Sequence, residues 1–461
     1  MKIWHKLYNI GENFKGKLTQ NSRGSKAALT GVTTLVTKGI SIGTALLSIP
    51  ITARYLGAEQ FGLWILLSAF IGWISIADLG LTSSLINVLA TAIANGDRKA
   101  AKQSVASAFF PMVFIGILLL FLSLQLSFFV HWEEVFNLQT TTNLKEDTRW
   151  AIAVAMWIFA LRLPLSIPRC IYTAYQEGYI YQLWMGLANL LSLASLFIAQ
   201  YYQTSLPWLL GIFFGVVIFG DILAAIHIFY FRKSWLKPSF ADCKLSIFKS
   251  LLQVGFQFWI AQICAICILQ TDLIIVSQLF GVAAVGTYGV VLKLFSTMEM
   301  VSTSFVSPLW PAYNEAKARG DYKWIIKTFK NSIFIASIWS LFAGGILAFS
   351  TPLFLDYWLG GNHYSSPELP FYMLLTYSLL AIGQCIAMLI NGLGRLKLQS
   401  FVAPLSAISN IFLSFTLGEK IGIAGVTLAT SICILVFSII LIGFDALLSI
   451  REYKLSLLNP K

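Results

Sequence analysis

ARYLGAEQFGLW, residues 53–64, interrupts a chain that is otherwise a succession of long apolar runs. Arg54 and Glu59 place charges between two such runs, and Gly57 and Gly62 stand five apart with Phe61 beside the second. Glycine readily takes the left-handed backbone that a tight reversal needs. The stretch is therefore predicted to be a wet turn joining two membrane helices. A paler copy, SQLFGVAAVGTY, recurs at residues 277–288 without the charges.

The composition around the turn agrees. Of 461 residues, 57% are hydrophobic and 11% are charged, against about a quarter charged in a typical soluble domain. So few charges cannot coat a water-facing surface. The chain is predicted to be all-α and integral to a membrane, with no separate soluble catalytic domain. The net charge of +12 is of the kind that orients membrane helices. No nucleic-acid-binding motif accompanies it, so nucleic acid is not an expected partner. Cys264 and Cys267 form a CxxC inside a predicted helix, which reads as a pair of small core residues rather than a redox or metal site.

About 20 apolar residues cross the hydrocarbon of a bilayer. Twelve such spans are predicted, at 29–53, 61–88, 105–130, 150–172, 179–202, 207–231, 248–279, 283–311, 328–350, 368–392, 398–417 and 421–446. The loops test the count. Basic loops, such as the one holding Arg98, Lys99 and Lys102 and the one holding Lys317, Arg319 and Lys323, alternate with neutral or acidic ones such as HWEEVFNLQ. By the positive-inside rule both termini are cytoplasmic. Residues 1–28 lack the short apolar core and cleavage site of a signal peptide and read as a cytoplasmic tail. The division is then an N-lobe at 29–231, a cytoplasmic linker at 232–247, a C-lobe at 248–446 and a second cytoplasmic tail at 447–461.

A repeat underlies the two lobes. At an offset of 224, Gly31 meets Gly255, Gly57 meets Gly281, Gly62 meets Gly286, Gly96 meets Gly320, Asp97 meets Asp321 and Lys99 meets Lys323. Six helices per copy give both copies the same orientation. A parallel 6+6 duplication is an architecture of secondary transporters, which hold substrate near the bilayer midplane.

A charge at mid-bilayer costs at least about 2.5–3.5 kcal/mol on insertion scales, so each one calls for a reason. Lys38 and Lys293 lie roughly ten residues into spans 1 and 8, about 15 Å deep by helix rise. Arg54 sits at the outer end of span 1. Arg162 and Arg169 stand seven apart on span 4, nearly one face of a straight helix, with Pro164 and Pro168 between. Basic groups of this kind match phosphate oxygens, which makes Lys38, Arg54, Arg162 and Lys293 candidates for binding an anionic substrate. The acids Asp78, Asp272 and Glu299 are either ion-coupling sites or salt-bridge partners, for instance Lys38 with Asp272 or Lys293 with Glu299. Asp221, on span 6, has no obvious partner in the sequence. The amides Gln257, Gln262, Gln384 and Asn410 either bind sugars or join helices.

Several chemistries lack their signatures. There is no phosphate-binding loop for ATP, no H-E-x-x-H and no G-x-S-x-G. The four histidines are scattered, so no metal or organic cofactor is expected. A membrane glycosyltransferase or polymerase would have to draw on His363 or the acids of HWEEVF, in outer loops of about 20 residues.

ARYLGAEQFGLW, followed by WISIADLGLTSSLINVLA and a basic loop, resembles the bacterial polysaccharide and O-antigen flippases of the multidrug/oligosaccharidyl-lipid/polysaccharide exporter superfamily. The family pattern, R-x-L-G-x-x-x-F-G then D-x-G, is met by Arg54, Leu56, Gly57, Phe61, Gly62, Asp78 and Gly80. GRLKLQSF at 394–401 is similar to the family's inside turn between helices 10 and 11. The resemblance implies a V-shaped, two-lobe, twelve-helix bundle like that of the MATE exporters. It implies movement of undecaprenyl-diphosphate-linked oligosaccharide across the bacterial inner membrane by alternating access, as a non-enzymatic monomer among membrane lipids and polysaccharide polymerase machinery. A proton or sodium gradient would act through an acid such as Asp78 or Asp272. Multidrug or cation antiporters share the twelve-helix plan, and lipid II flippases usually have two further helices.

Overall fold

The computed structural model describes residues 23–73, 78–136, 142–359 and 366–458. The predicted tail up to residue 22 and the loop holding His363 lie outside the described residues, and so does the side chain of Gln257. The described elements are helical. They are α1 (Arg23–Gly72), α2 (Leu81–Ala94), α3 (Arg98–Phe129), α4 (Trp132–Val135), α5 (Thr142–Ala174), α6 (Gly178–Tyr201) and α7 (Leu206–Ile226). After α7 a π turn (His227–Arg232) and two 3-10 turns lead into α8 (Leu245–Leu269), α9 (Thr271–Phe280), α10 (Val282–Val306), α11 (Leu309–Ala318) and α12 (Tyr322–Leu359). α13 (Leu369–Leu393), α14 (Leu396–Ile421), α15 (Ile423–Cys433), a second π turn (Ile434–Leu441) and α16 (Ile442–Leu458) complete the chain.

Eleven of the described helices are long and apolar enough to cross a membrane, with Leu81–Ile93 and Leu245–Phe256 as shorter apolar pieces. Twelve were expected. The first of the eleven runs from Val36 to Gly72, and the difference lies there. Within α1 the backbone leaves helical geometry at Gly57 alone, with φ 73° and ψ 173°. The reversal predicted at ARYLGAEQFGLW is thus made in a single residue.

The repeat offset is visible in the turns. Gly281, 224 residues beyond Gly57, has φ 82° and ψ 165°. Gly96 and Gly320 have φ 69° and 71°. Just after them, the Asp97 carboxylate accepts from the N–H of Ala100 at 2.9 Å and the Asp321 carboxylate from that of Trp324 at 3.1 Å. Both acids satisfy one of the orphan donors at the start of a helix, which explains the duplicated GD-x-K sequence. The prolines of span 4 do not end their helix, since α5 continues through Pro164 and Pro168.

The chain groups into two compact units. The first comprises Met1–Ser48, Ile74–Ser127 and Ile152–Trp259, as far as these are described, and the second Ile49–Trp73, Phe128–Ala151 and Ile260–Lys461. The core of the first centres on Leu81, Leu85, Leu89, Met112, Ile171 and Tyr172. In the second, Tyr313, Ile325, Leu389 and Ile390 form one cluster. The opening stretch also packs inside the second unit, where a methyl group at Gly62 would come within 1.9 Å of the Val282 carbonyl oxygen. That approach requires glycine and places the turn after α9 against the turn at Gly57.

Candidate functional site

In the first unit α1 lies on α6 through polar contacts. The Thr37 hydroxyl reaches the Gln182 carbonyl at 3.3 Å, and the Asn189 amide donates to the Ser41 hydroxyl at 2.8 Å. Lys38 sits half-buried on this stretch of α1. On α5, Arg162 places its Nε 3.5 Å from a carboxylate oxygen of Asp221. The other oxygen accepts from the Tyr181 hydroxyl at 2.8 Å. Asp221 is 3% exposed, so a cation beside it offsets much of the cost of burying its charge. Further along the same helices the Tyr172 hydroxyl lies 2.8 Å from Nδ1 of His227, and Arg232 pairs with buried Glu177 at 3.2 Å.

The second unit carries the other two basic candidates. Lys293, on α10, has an exposed side chain. Arg54 is exposed too, and it is anchored. Its guanidinium donates to the Tyr357 carbonyl at 2.8 Å and lies 5.2 Å from the centroid of the Tyr357 ring. Arg54 lines a cavity of about 250 Å³ with Gly57, Phe61, Gly286, Thr287 and Leu359. One hydrogen bond leaves most of the guanidinium's five donors for a group entering that cavity.

The three acids have different surroundings. Asp78 is 4% exposed; it accepts from the Gly80 N–H at 2.8 Å and from the Thr82 hydroxyl. Gly80 precedes α2 and Thr82 lies in its first turn, so Asp78 braces the turn that leads into the helix. Glu299 accepts from the Gln384 amide and the Thr303 hydroxyl, and no ion pair to Lys293 occurs among the described residues. Asp272, 3% exposed, accepts at one oxygen from Tyr288 at 2.9 Å and from Thr430 at 3.0 Å. Thr430 in turn accepts from Asn410 at 2.9 Å. The second oxygen of Asp272, Oδ1 of Asn410 and the Ser414 hydroxyl have no hydrogen-bond partner among the described residues.

The profile of the polysaccharide biosynthesis protein family matches residues 28–317. The chain belongs to that family. Relatives span most of its length. A protein of Salmonella typhi named "Putative O-antigen transporter" is 25% identical over 400 residues, 85% of this chain and 89% of the relative. A "Putative O-antigen export protein" of Yersinia pseudotuberculosis is 22% identical over 400 residues, 84% and 88% of the two chains. Among solved structures, an inward-facing MATE multidrug transporter of the MOP superfamily matches at TM-score 0.75 and 14% identity, covering 91% of this chain and 95% of its own. The lipid II flippase MurJ, inward closed, matches at 0.70 and 14%, covering 93% and 90%. These likenesses show that the chain shares the all-helical fold of those transporters.

Within this polysaccharide biosynthesis protein, Lys38 and Arg162 belong to the first unit and Arg54 and Lys293 to the second. The spacing of Arg54 and Lys38 on one predicted span had suggested a shared lobe. Sequence reasoning missed the partner of Asp221. A carboxylate deep in an apolar run implies a cation at similar depth on another helix, and Arg162 fits that rule. Lying 59 positions apart, the two escape any local pattern. Tyr172 and His227 were missed as well, because neither belongs to a motif.

Proposed function

We propose that the protein is a flippase that carries undecaprenyl-diphosphate-linked oligosaccharide, a polysaccharide or O-antigen repeat unit, across the bacterial inner membrane by alternating access. The observation that carries this reading is the set of four basic side chains, Lys38, Arg54, Arg162 and Lys293, placed within or at the ends of apolar helices of a chain in the polysaccharide biosynthesis family. A dianionic head group cannot cross hydrocarbon unaided, and guanidinium and ammonium groups are the natural counter-charges for phosphate. The names of the O-antigen relatives support the substrate class. Both termini are cytoplasmic in this reading, and the protein works as a monomer without catalytic chemistry.

Asp272 is the proposed coupling site for a proton or sodium ion. It is sealed from solvent and faces the hydroxyls of Tyr288, Thr430 and Ser414 rather than a cation of its own unit. A carboxylate in that setting is satisfied by taking up a proton or a small cation. Asp78 and Glu299 are bound up with helix-starting and amide partners, which makes them structural.

The test is reconstitution in liposomes with a polyprenyl-diphosphate oligosaccharide, scoring its arrival in the far leaflet. Wild type transfers the lipid and the Lys38→Ala/Lys293→Ala double variant does not. Equal transfer by both would sink the reading. Competition by cationic drugs instead would favour a multidrug antiporter.

A further inference from the structure

The cluster around Asp221 has a geometry that anion binding by Arg162 alone does not explain. Arg162 meets Asp221 through Nε, and its side chain is 24% exposed where that of Asp221 is 4% exposed. The two terminal amino groups, the fork that grips phosphate, carry no recorded partner among the described residues. Asp221 therefore holds the arginine from behind while its binding end stays open. The groups facing Asp221 are Arg162 and Arg169 from α5 and Tyr181 from α6.

Protonatable groups continue from Asp221 toward the end of α7. The Tyr181 ring lies 6.5 Å from the Tyr172 ring. The Tyr172 hydroxyl meets His227 at 2.8 Å, where the helix loosens into the π turn His227–Arg232. Such turns gather at functional sites. Beyond them the Glu177–Arg232 pair reaches solvent, with the arginine 36% exposed.

We propose that Asp221 is a proton-binding site that governs the anion affinity of Arg162. When Asp221 takes a proton from the aqueous phase onto a carboxylate oxygen, Arg162 loses its fixed counter-ion and accepts a phosphate oxygen in its place. When the proton leaves, the carboxylate reclaims Arg162 and the anion is released. The exchange replaces one ion pair by another, so no unpaired charge is left in the interior, which would be costly. The inference rests on the flippase reading only for the identity of the anion.

The full chain in lipid vesicles is examined by infrared difference spectroscopy between about pH 8 and pH 5. Reference and variants all carry Asp272→Asn, so that the second buried acid contributes no signal, and a carboxylic C=O band appears in this background and is missing when Asp221→Asn is added. It appears at higher pH in Arg162→Gln, by at least about one unit, a tenfold change in proton affinity. Tyr181→Phe, which keeps the ion pair and guards against misfolding of Asp221→Asn, shifts the band in the same direction. A band that survives Asp221→Asn, or that appears at the same pH in Arg162→Gln, overturns the proposal. In a second arm, polyprenyl diphosphate binds wild type with uptake of about one proton, read as a dependence of binding heat on buffer. Binding without proton uptake also overturns it. The infrared arm needs no lipid-linked diphosphate, so it decides the matter even where diphosphate binding, and with it the flippase reading, fails.

Discussion

Asp221 and Asp272 are both 3% exposed, yet they are buried by opposite means. Asp221, in the first unit, faces an arginine 3.5 Å away and a tyrosine hydroxyl. Asp272, in the second, faces two hydroxyls within 3.0 Å, with the Ser414 hydroxyl as a further neighbour, and no cation of its own unit pairs with it among the described residues. A buried carboxylate must be neutralised by something. In the first unit the neutraliser is built into the chain and can be taken away by a competing anion. In the second, under the proposed reading, it comes from outside as a proton or a cation. The two units thus hold two different electrostatic arrangements.

The largest expected effect tests that contrast through stability. Arg162→Ala strips a buried carboxylate of its cation, a change that costs about 3–5 kcal/mol when one partner of a buried pair is removed. The partial exposure of Arg162 puts the expected loss at the low end. Asp272→Asn removes a charge that no cation of its unit balances and keeps the shape, so its expected cost is below about 1 kcal/mol. Thermal unfolding in detergent measures both. Equal losses would break the comparison, because they would mean that Asp272 is paired as firmly as Asp221.

Transport separates them next. In liposomes with an imposed pH or sodium gradient, Asp272→Asn is expected to lose the stimulation by the gradient and to keep downhill transfer. Asp221→Asn should keep the response of the second unit but hold its ligand across the whole pH range. If both variants lose stimulation and neither changes ligand release, the two acids serve one function rather than two.

The sequence carried the devices unequally. The turns were legible because they are local. A glycine at Gly57 and Gly281 fixes a left-handed reversal, and Asp97 and Asp321 cap the helix that follows them, so each copy of the motif builds the same geometry from its own few residues. The eleven continuous helices stand against twelve expected spans for the same reason, since a one-residue reversal at Gly57 leaves no gap between the first two. The ion pair was not legible. Arg162 and Asp221 meet only because α5 and α7 pack side by side within the first unit. The Asp272 cluster draws on α9, α10, α14 and α15, and Thr430 and Asn410 look in sequence like ordinary helix-joining residues.

A smaller effect is expected from single hydroxyls around Asp272. Thr430→Val removes one donor to the carboxylate and leaves Asn410 without its acceptor. Side-chain hydrogen bonds between membrane helices average about 0.6 kcal/mol and reach about 1.7 kcal/mol, and the loss of two contacts argues for the upper part of that range. Gradient stimulation should weaken in step. A stability loss with unchanged stimulation would assign Thr430 to packing alone.

The smallest effect belongs to Arg54, which follows neither pattern because it is exposed and has no acid partner among its recorded contacts. Its anchor is Tyr357, through a carbonyl and a ring. Tyr357→Leu keeps the carbonyl and removes the ring, and a cation–aromatic contact at an exposed position is worth about 0.5–1 kcal/mol. Solvent screening places the stability change at the lower limit of what unfolding can resolve. Ligand affinity is the better measurement. With the ring gone, the guanidinium is held by one hydrogen bond and is free to swing out of the cavity it shares with Phe61 and Thr287. Diphosphate binding should then weaken by a few-fold, and Arg54→Lys, which keeps the charge but loses the fork, should weaken it by at least as much. If both variants bind as wild type does, Arg54 serves the turn and not the ligand, and the anion-binding groups of the second unit reduce to Lys293.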